Sequence, residues 1–214
     1  MGGIAVELPF IEIESTLGTI SKDMLQDYSA ILFNSPNGVK EFMNKIDDIR
    51  ILAHLKIGAV GSKTKEILES YKLKADFMPD EYLVSKLAEL SLDYTKPGDK
   101  ILIITSDISP CDTEKLNSIY GREFHKMIAY NTKKIIREKD EVLKTLSKIE
   151  IVTFLSSSTV DAFYESIGKD IESVKNKKFA SIGPVTSDTM RKYGFSVDYE
   201  AIVYDVNGIL EAVK

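Results

Sequence analysis

One cysteine, Cys111, and two histidines, His54 and His125, are the chain's whole supply of thiol and imidazole. A lone Cys excludes a disulfide framework and a Cys-based zinc or iron–sulfur centre. The two His are far apart in sequence, so a His-rich metal site is not expected, and all three residues read as structural bystanders. No apolar run approaches the ~20 residues that span a bilayer. Residues 1–13, MGGIAVELPFIEI, lack the basic start and long apolar stretch of a signal peptide. An excess of one charge is missing too. The 28 Lys and Arg against 33 Asp and Glu leave a net charge of −5, fairly evenly spread. That balance argues against broad nucleic-acid or membrane-surface binding. The expectation is a soluble, cytoplasmic protein with no nucleic-acid or membrane partner. No Gly-x-Gly-x-x-Gly occurs. Gly61-Ser62-Lys63-Thr64 is like the end of a phosphate-binding loop, but the earlier Gly spacing and the adjacent Gly-Lys pair are absent, so an NTPase is rejected. Ser156–Ser158 has no nearby His to activate a nucleophile, which disfavours a hydrolase.

What is present is enough for a folded core. Hydrophobic residues make up 43% and charged residues 29% of 214 residues, the composition of one large or two small globular domains. The most informative feature is internal repetition. Phe33, Ser35, Val39 and Phe42 recur as Phe154, Ser156, Val160 and Phe163, at an offset of 121. Lys56, Gly61, Thr64, Tyr71 and Asp76 recur as Lys178, Gly183, Thr186, Tyr193 and Asp198, at an offset of 122, and Tyr82 and Val84 recur as Tyr204 and Val206. The period is too long for a solenoid, so two related domains are expected.

Each copy alternates short apolar runs with helical patterns. Ala30–Phe33, Ile57–Val60, Ile101–Thr105, Ile151–Phe154 and Phe179–Ile182 are near-continuously apolar, as in strands covered on both faces of a parallel sheet. Helices are expected over Asn37–Lys45, Thr64–Tyr71, Leu83–Leu92, Thr159–Ser166, Thr186–Tyr193 and Val206–Val213. The alternation means βαβ units and an α/β fold. The turns repeat as well. Ser35-Pro36 and Gly183-Pro184 put Pro at a first helical position, where its missing N–H costs nothing. Ser156 and Gly61 occupy the matching entry positions and suit an N-cap. Four helix N-termini should therefore lie at the carboxyl ends of parallel strands, where ligands bind such sheets and where free N–H groups suit carboxylates or phosphates. The acidic runs Asp47-Asp48 and Glu138–Glu141 read as solvated helix faces.

Glu7–Glu14 and Arg122–Thr132 fall outside the alternation and read as extended segments. They are candidates for a two-strand connector, residues 9–14 paired with 127–132. Residues 15–126 then form one domain, and 1–8 with 133–214 form the other. A double connector permits hinge motion.

With these pieces in order, the chain resembles the uroporphyrinogen-III synthase family. The matching stretches are PFIEIE, FNSPNGV, IGAVGSKT with PDEYLVSKLAEL, AYNT, VTFLSSSTVDAF and SIGPVTSDTMRKYGFSVDYEA. They cover nearly the whole chain. The resemblance implies two related parallel-sheet, flavodoxin-like domains joined by a β connector, with the active site in the cleft. It implies no metal and no organic cofactor. The implied substrate is hydroxymethylbilane, a linear tetrapyrrole with acetate and propionate side chains. Its closure with inversion of ring D gives uroporphyrinogen III and water. The implied state is a monomer, in at most transient contact with hydroxymethylbilane synthase.

Tyr130 matches the family's connector tyrosine and is the catalytic candidate; the other reading is an amphipathic ring covering a hinge. Thr132 reads as structural. Thr186, Gly183 and Pro184 belong to the family's IGP-x-T turn, where the Thr hydroxyl either binds a carboxylate or supports its own helix. Ser156, Ser157 and Ser158 are candidates to bind substrate through hydroxyls and backbone N–H groups. Ser35, Asn37, Ser62, Lys63 and Thr64 form the duplicate turns, and Lys63 either attracts a carboxylate or is merely solvated. Family members begin with a strand, a Thr-Arg-Pro-like turn and a helix before the segment matching Gly3–Glu14. That unit is absent here. The domain of 1–8 and 133–214 is thus expected to lack a strand and to be the less stable one. The alternative function is a non-catalytic ligand-binding or regulatory module derived from the family.

Overall fold

Runs such as Ile101–Ile104, apolar at every position, bury both faces of a strand only when helices cover both sides of the sheet. The computed structural model describes residues 3–214 and has this architecture. Met1 and Gly2, assigned above to a domain with 133–214, lie outside the described residues. The elements in order are β1 (Ile11–Ser15), α1 (Lys22–Leu25), β2 (Tyr28–Phe33), α2 (Pro36–Met43), β3 (Lys56–Ala59), α3 (Ser62–Ser70), α4 (Val84–Leu90), β4 (Lys100–Ser106), α5 (Thr113–Tyr120), β5 (Glu123–Lys134), α6 (Lys139–Leu146), β6 (Ile151–Phe154), α7 (Ser157–Ser166), β7 (Lys178–Ser181), α8 (Pro184–Lys192), β8 (Tyr199–Glu200) and α9 (Val206–Ala212). The chain divides into two compact units, residues 13–132 and residues 1–12 with 133–214.

The unit of 13–132 holds a sheet in the order β1-β5-β4-β2-β3. β3, β2, β4 and β5 run parallel. Ile31, Phe33, Ile57 and Ile104 face α2 and α3 with Val39, Phe42 and Leu68. Ala30, Leu32, Ile101 and Ile103 face α4 and α5 with Leu87, Leu116 and Phe124. Strand order reverses between β2 and β4, because β3 pairs on one side of β2 and β4 on the other. Within Arg122–Thr132, β5 pairs with β4 from Glu123 to Tyr130, so residues 127–130 of the expected connector also belong to this sheet. The pairing satisfies β4's second edge, and it puts residues 127–132 in the 13–132 unit. Of Glu7–Glu14, only Ile11 onward is strand.

The other unit has a parallel sheet in the order β6-β7-β8. Phe154, Phe163, Phe179 and Phe195 pack with Val160, Met190 and Phe10 on one face. Ala180, Ala201 and Ile209 form a thinner core on the other, beneath α9. Each fully buried Phe contributes roughly 1.5–3 kcal/mol.

The sequence repeat is a repeat of structure. Phe33 and Phe42 meet edge to face at 5.4 Å, and Phe154 and Phe163 do so at 5.3 Å. Asp76 accepts from the Ile57 N–H at 2.8 Å, and Asp198 accepts from the Phe179 N–H at the same distance. Each aspartate thus caps the start of its strand. Asp48 departs from the expected helix face. Its carboxylate caps the 3-10 turn Ile49–Leu52 and pairs with Arg50, which holds it below the usual carboxylate range.

Two predictions follow from burial and pairing. Ala30–Phe33 is fully buried between two strands. Ile151 and Val152 of β6 are only half-buried, and among the described residues β6 pairs with β7 alone. Amide hydrogen exchange should therefore be faster in β6 and β7 than in β2 and β3; equal protection would contradict this. Cys111 lies in the core beside Phe124 and Leu116, and burial pushes its thiol above the ordinary range. A thiol reagent should label it slowly in the native protein and quickly in denaturant; fast native labelling would contradict its burial.

Candidate functional site

In the 13–132 unit, the carboxyl end of β2 lies at the point where strand order reverses, the position that gathers ligands in open parallel sheets. Asn34 joins the two sides of that point. Its amide donates to Thr105 Oγ1 at 3.0 Å and to Ser109 Oγ at 2.7 Å, at the end of β4. Ser35 caps α2, accepting from the Gly38 N–H at 2.9 Å, and Pro36 takes the first helical position. Ser35 Oγ also lies 2.9 Å from the Tyr130 hydroxyl. The expected catalytic residue and the expected turn therefore meet.

Tyr130 reaches that place through a β-bulge. The β4–β5 register shifts between Thr105 and Ser106, so that Thr105 opposes Ile128 but Ser106 opposes Tyr130. Strict alternation would turn Tyr130 to the Phe124 side of the sheet. Instead Ala129 and Tyr130 both pack in the core with Phe33 and Val39. The next loop fixes the strand. The Asp107 N–H donates to the Tyr130 carbonyl at 3.2 Å, and the Thr132 N–H donates to Asp107 Oδ1 at 3.0 Å. Asn34, Thr105, Asp107 and Ser109 were not anticipated: their spacing in sequence carries no signal, and only the strand order brings them together.

The second turn of this unit begins at Gly61, which caps α3 without a side-chain bond. A Cβ on Gly61 would sit 3.0 Å from the Tyr82 ring, so a side chain here would press on that exposed ring. Ser62 and Lys63 are exposed, while Thr64 is 2% exposed. The N–H groups of Asn37, Ser62, Lys63 and Thr64 have no protein acceptor among the described residues.

The other unit repeats the arrangement. Ser156 caps α7, accepting from the Thr159 N–H at 3.3 Å, and its Oγ lies 2.9 Å from Ser158 Oγ. Ser157 donates to the Val185 carbonyl at 3.2 Å and so ties this turn to the Gly183-Pro184 turn that opens α8. A Cβ on Gly183 would lie 2.9 Å from the Tyr204 ring, the counterpart of Tyr82. Thr186 is 4% exposed. Neither Thr64 nor Thr186 makes a side-chain hydrogen bond among the described residues, and no side-chain polar atom there is both fully buried and unbonded. Each hydroxyl therefore sits in a buried residue yet reaches solvent without a protein partner. Farther along α7 and α8, Lys134 pairs with Glu165 at 3.0 Å, which raises the ammonium, and Asp161 accepts from Tyr193 and raises its phenol.

In each unit the turns offer hydrogen-bond donors at helix N-termini, and the 13–132 unit adds the buried phenol of Tyr130. Among the described residues no cluster of three or more His, Cys, Asp or Glu is placed to hold a metal ion. No helix there is long and apolar enough to cross a membrane.

Comparison with known proteins gives concordant results. A family model described as uroporphyrinogen-III synthase HemD matches residues 1–211. A uroporphyrinogen-III synthase of Chlorobaculum parvum is 26% identical, with 98% of this chain and 89% of that protein covered. A porphyrin biosynthesis protein HemD of Ruminiclostridium josui is 29% identical over 90% of this chain, but the chain spans only 40% of that protein's length. In fold, the chain is similar to uroporphyrinogen-III synthetase from Helicobacter pylori, with a TM-score of 0.72 at 18% identity, covering 96% of this chain and 90% of the other.

Proposed function

The chain belongs to the uroporphyrinogen-III synthase family, and from that premise we propose that it closes hydroxymethylbilane to uroporphyrinogen III, with inversion of ring D and loss of water. The match over residues 1–211 carries this reading. On this reading the protein is a lyase of tetrapyrrole biosynthesis, and we take it to be a cytoplasmic monomer in at most transient contact with hydroxymethylbilane synthase.

The chemistry begins when the substrate's hydroxyl leaves and an azafulvene cation remains. Ring D attacks at its own substituted carbon, a spiro intermediate forms, and fragmentation with reclosure inverts the ring. Unassisted closure gives the symmetric isomer I. The protein must therefore hold a reactive cation in one geometry, which is work for positioning and preorganised dipoles. The acetate and propionate groups need donors. The free N–H groups of Asn37, Ser62, Lys63, Thr64, Ser157 and Ser158, with the hydroxyls of Thr64 and Thr186, fit that need. Each helix-end contact contributes about 0.3–1 kcal/mol, more where water is excluded. Gly183 and Pro184 shape the turn that presents Thr186, and the exposed Lys63 adds a cation. Tyr130 donates to the departing hydroxyl or to the spiro intermediate.

The deciding experiment supplies hydroxymethylbilane and separates the products by chromatography. Isomer III should dominate, and its formation should survive EDTA and dialysis. Isomer I alone would reject the catalytic reading; activity restored only by added metal would reject the cofactor-free one. A second prediction concerns Thr186. Thr186→Val deletes a hydroxyl at nearly constant shape and should raise KM about 10-fold, the size of one charge-assisted hydrogen bond. Thr186→Met also intrudes on a buried turn and should do more harm. Wild-type kinetics in both variants would remove Thr186 from the site.

A further inference from the structure

We infer that Ser35 is a positioning residue that sets the direction of the Tyr130 hydroxyl proton; this rests on the role of Tyr130 proposed above. Ser35 Oγ has one proton and two lone pairs. One lone pair accepts the Gly38 N–H at 2.9 Å. The one other hydrogen-bond partner of Ser35 Oγ among the described residues is the Tyr130 hydroxyl, at 2.9 Å, and Ser35 is likewise the one partner of that hydroxyl. If Tyr130 donated to Ser35, the serine proton would have no acceptor in the protein and the phenol no proton to offer a ligand. If Ser35 donates to Tyr130, Ser35 Oγ both accepts and donates, and the one proton without a protein acceptor is the phenol's, the arrangement that a phenol donating to a ligand requires. The phenol proton then points away from the cap toward whatever occupies the site. Donation into the phenol oxygen also polarises its O–H, which makes it a better donor.

The repeat supplies an internal control. Ser156 caps α7 as Ser35 caps α2, but position 159 is Thr where position 38 is Gly. The Thr159 hydroxyl lies 3.4 Å from Ser156 Oγ, and Ser158 Oγ lies at 2.9 Å, so that cap is occupied by its own helix. Gly38 brings no such group. A Cβ there would lie 3.2 Å from Ser35 Oγ and 3.4 Å from Ile104. The missing side chain leaves Ser35 Oγ clear for the phenol, and the bulge at Ala129–Tyr130 brings the phenol to it. A cap with only a helical duty needs neither feature.

The test has a spectroscopic arm and a kinetic arm. The tyrosine ring doublet in the Raman spectrum reports whether a phenol oxygen accepts or donates. The Tyr130 contribution is isolated as the difference between each protein and its Tyr130→Phe partner. Ser35→Ala should shift that doublet away from the acceptor side. A shift away from the donor side, or none, would overturn the inference whether or not the protein makes isomer III. In the isomer III assay, Ser35→Ala should lower kcat roughly 2- to 10-fold, the size of one neutral hydrogen bond, with KM little changed. It should lower kcat no further in the Tyr130→Phe background, and Ser35→Thr, which keeps cap and donor, should restore it. Losses that multiply in the double variant would mark Ser35 as merely structural. An unchanged kcat in Tyr130→Phe alone would instead fault the role of Tyr130, with the Raman arm still reporting the proton's direction.

Discussion

A strand buried in a parallel sheet must hand the chain to a helix that starts at the same edge, and the first N–H groups of that helix have no backbone acceptor. The layout of both units depends on that constraint. Four strands, β2, β3, β6 and β7, run directly into α2, α3, α7 and α8. Two of the helices are capped by serine and two begin at glycine. The serine caps satisfy one N–H each. The glycine starts satisfy none by side chain, and at those two turns the buried threonines Thr64 and Thr186 stand two residues beyond the first helical position with free hydroxyls. At both glycines a ring packs close: a Cβ would lie 3.0 Å from Tyr82 and 2.9 Å from Tyr204.

The two copies have diverged where chemistry is expected and agreed where packing decides. The Phe pairs, the strand-capping aspartates and the Ser caps coincide closely. Differences gather around the turns. Beneath the Gly183 turn, the buried Ser181 and Ser187 hydroxyls bond at 2.6 Å, and Ser187 donates to Glu200. The matching positions in the other copy are Ala59, Lys65 and Met78. That other copy instead has Gly38, the bulge and Tyr130. One duplicated scaffold thus carries a polar support under one turn and a phenol beside another.

Much of the fold was legible because its signals are local. Apolar runs of four to seven residues, Pro after Ser or Gly, and repeated Phe spacings report burial and capping directly, and they placed the four turns correctly. α5 was missed because its helix is short and largely polar, TEKLNSIY, with Leu116 its one buried residue. The double duty of β5 was missed because pairing to β4 depends on strand order, which no local pattern encodes. The same holds for the site. Ser35, Thr64, Ser156 and Thr186 could be read from caps and repeats. Asn34 and Ser109 meet only across the reversal of strand order, and the turn of Tyr130 to the Phe33 side depends on a one-residue bulge that a pattern of alternation cannot locate.

A chain with net charge −5 generates no long-range attraction for a polycarboxylate. Many of its cations are already engaged: Lys134 with Glu165, Lys139 with Asp170, Arg137 with Glu141 and Lys56 with Asp76. Exposed pairs of this kind add little stability. What remains for carboxylates is short-ranged and directional, from N–H groups and hydroxyls fixed by the backbone. Such donors act only on groups that arrive at the right distance and angle. For the proposed reaction, whose unassisted course already leads to a closed ring, discrimination by geometry would matter more than raw attraction, and directional neutral donors would supply it where a cluster of mobile lysines would not.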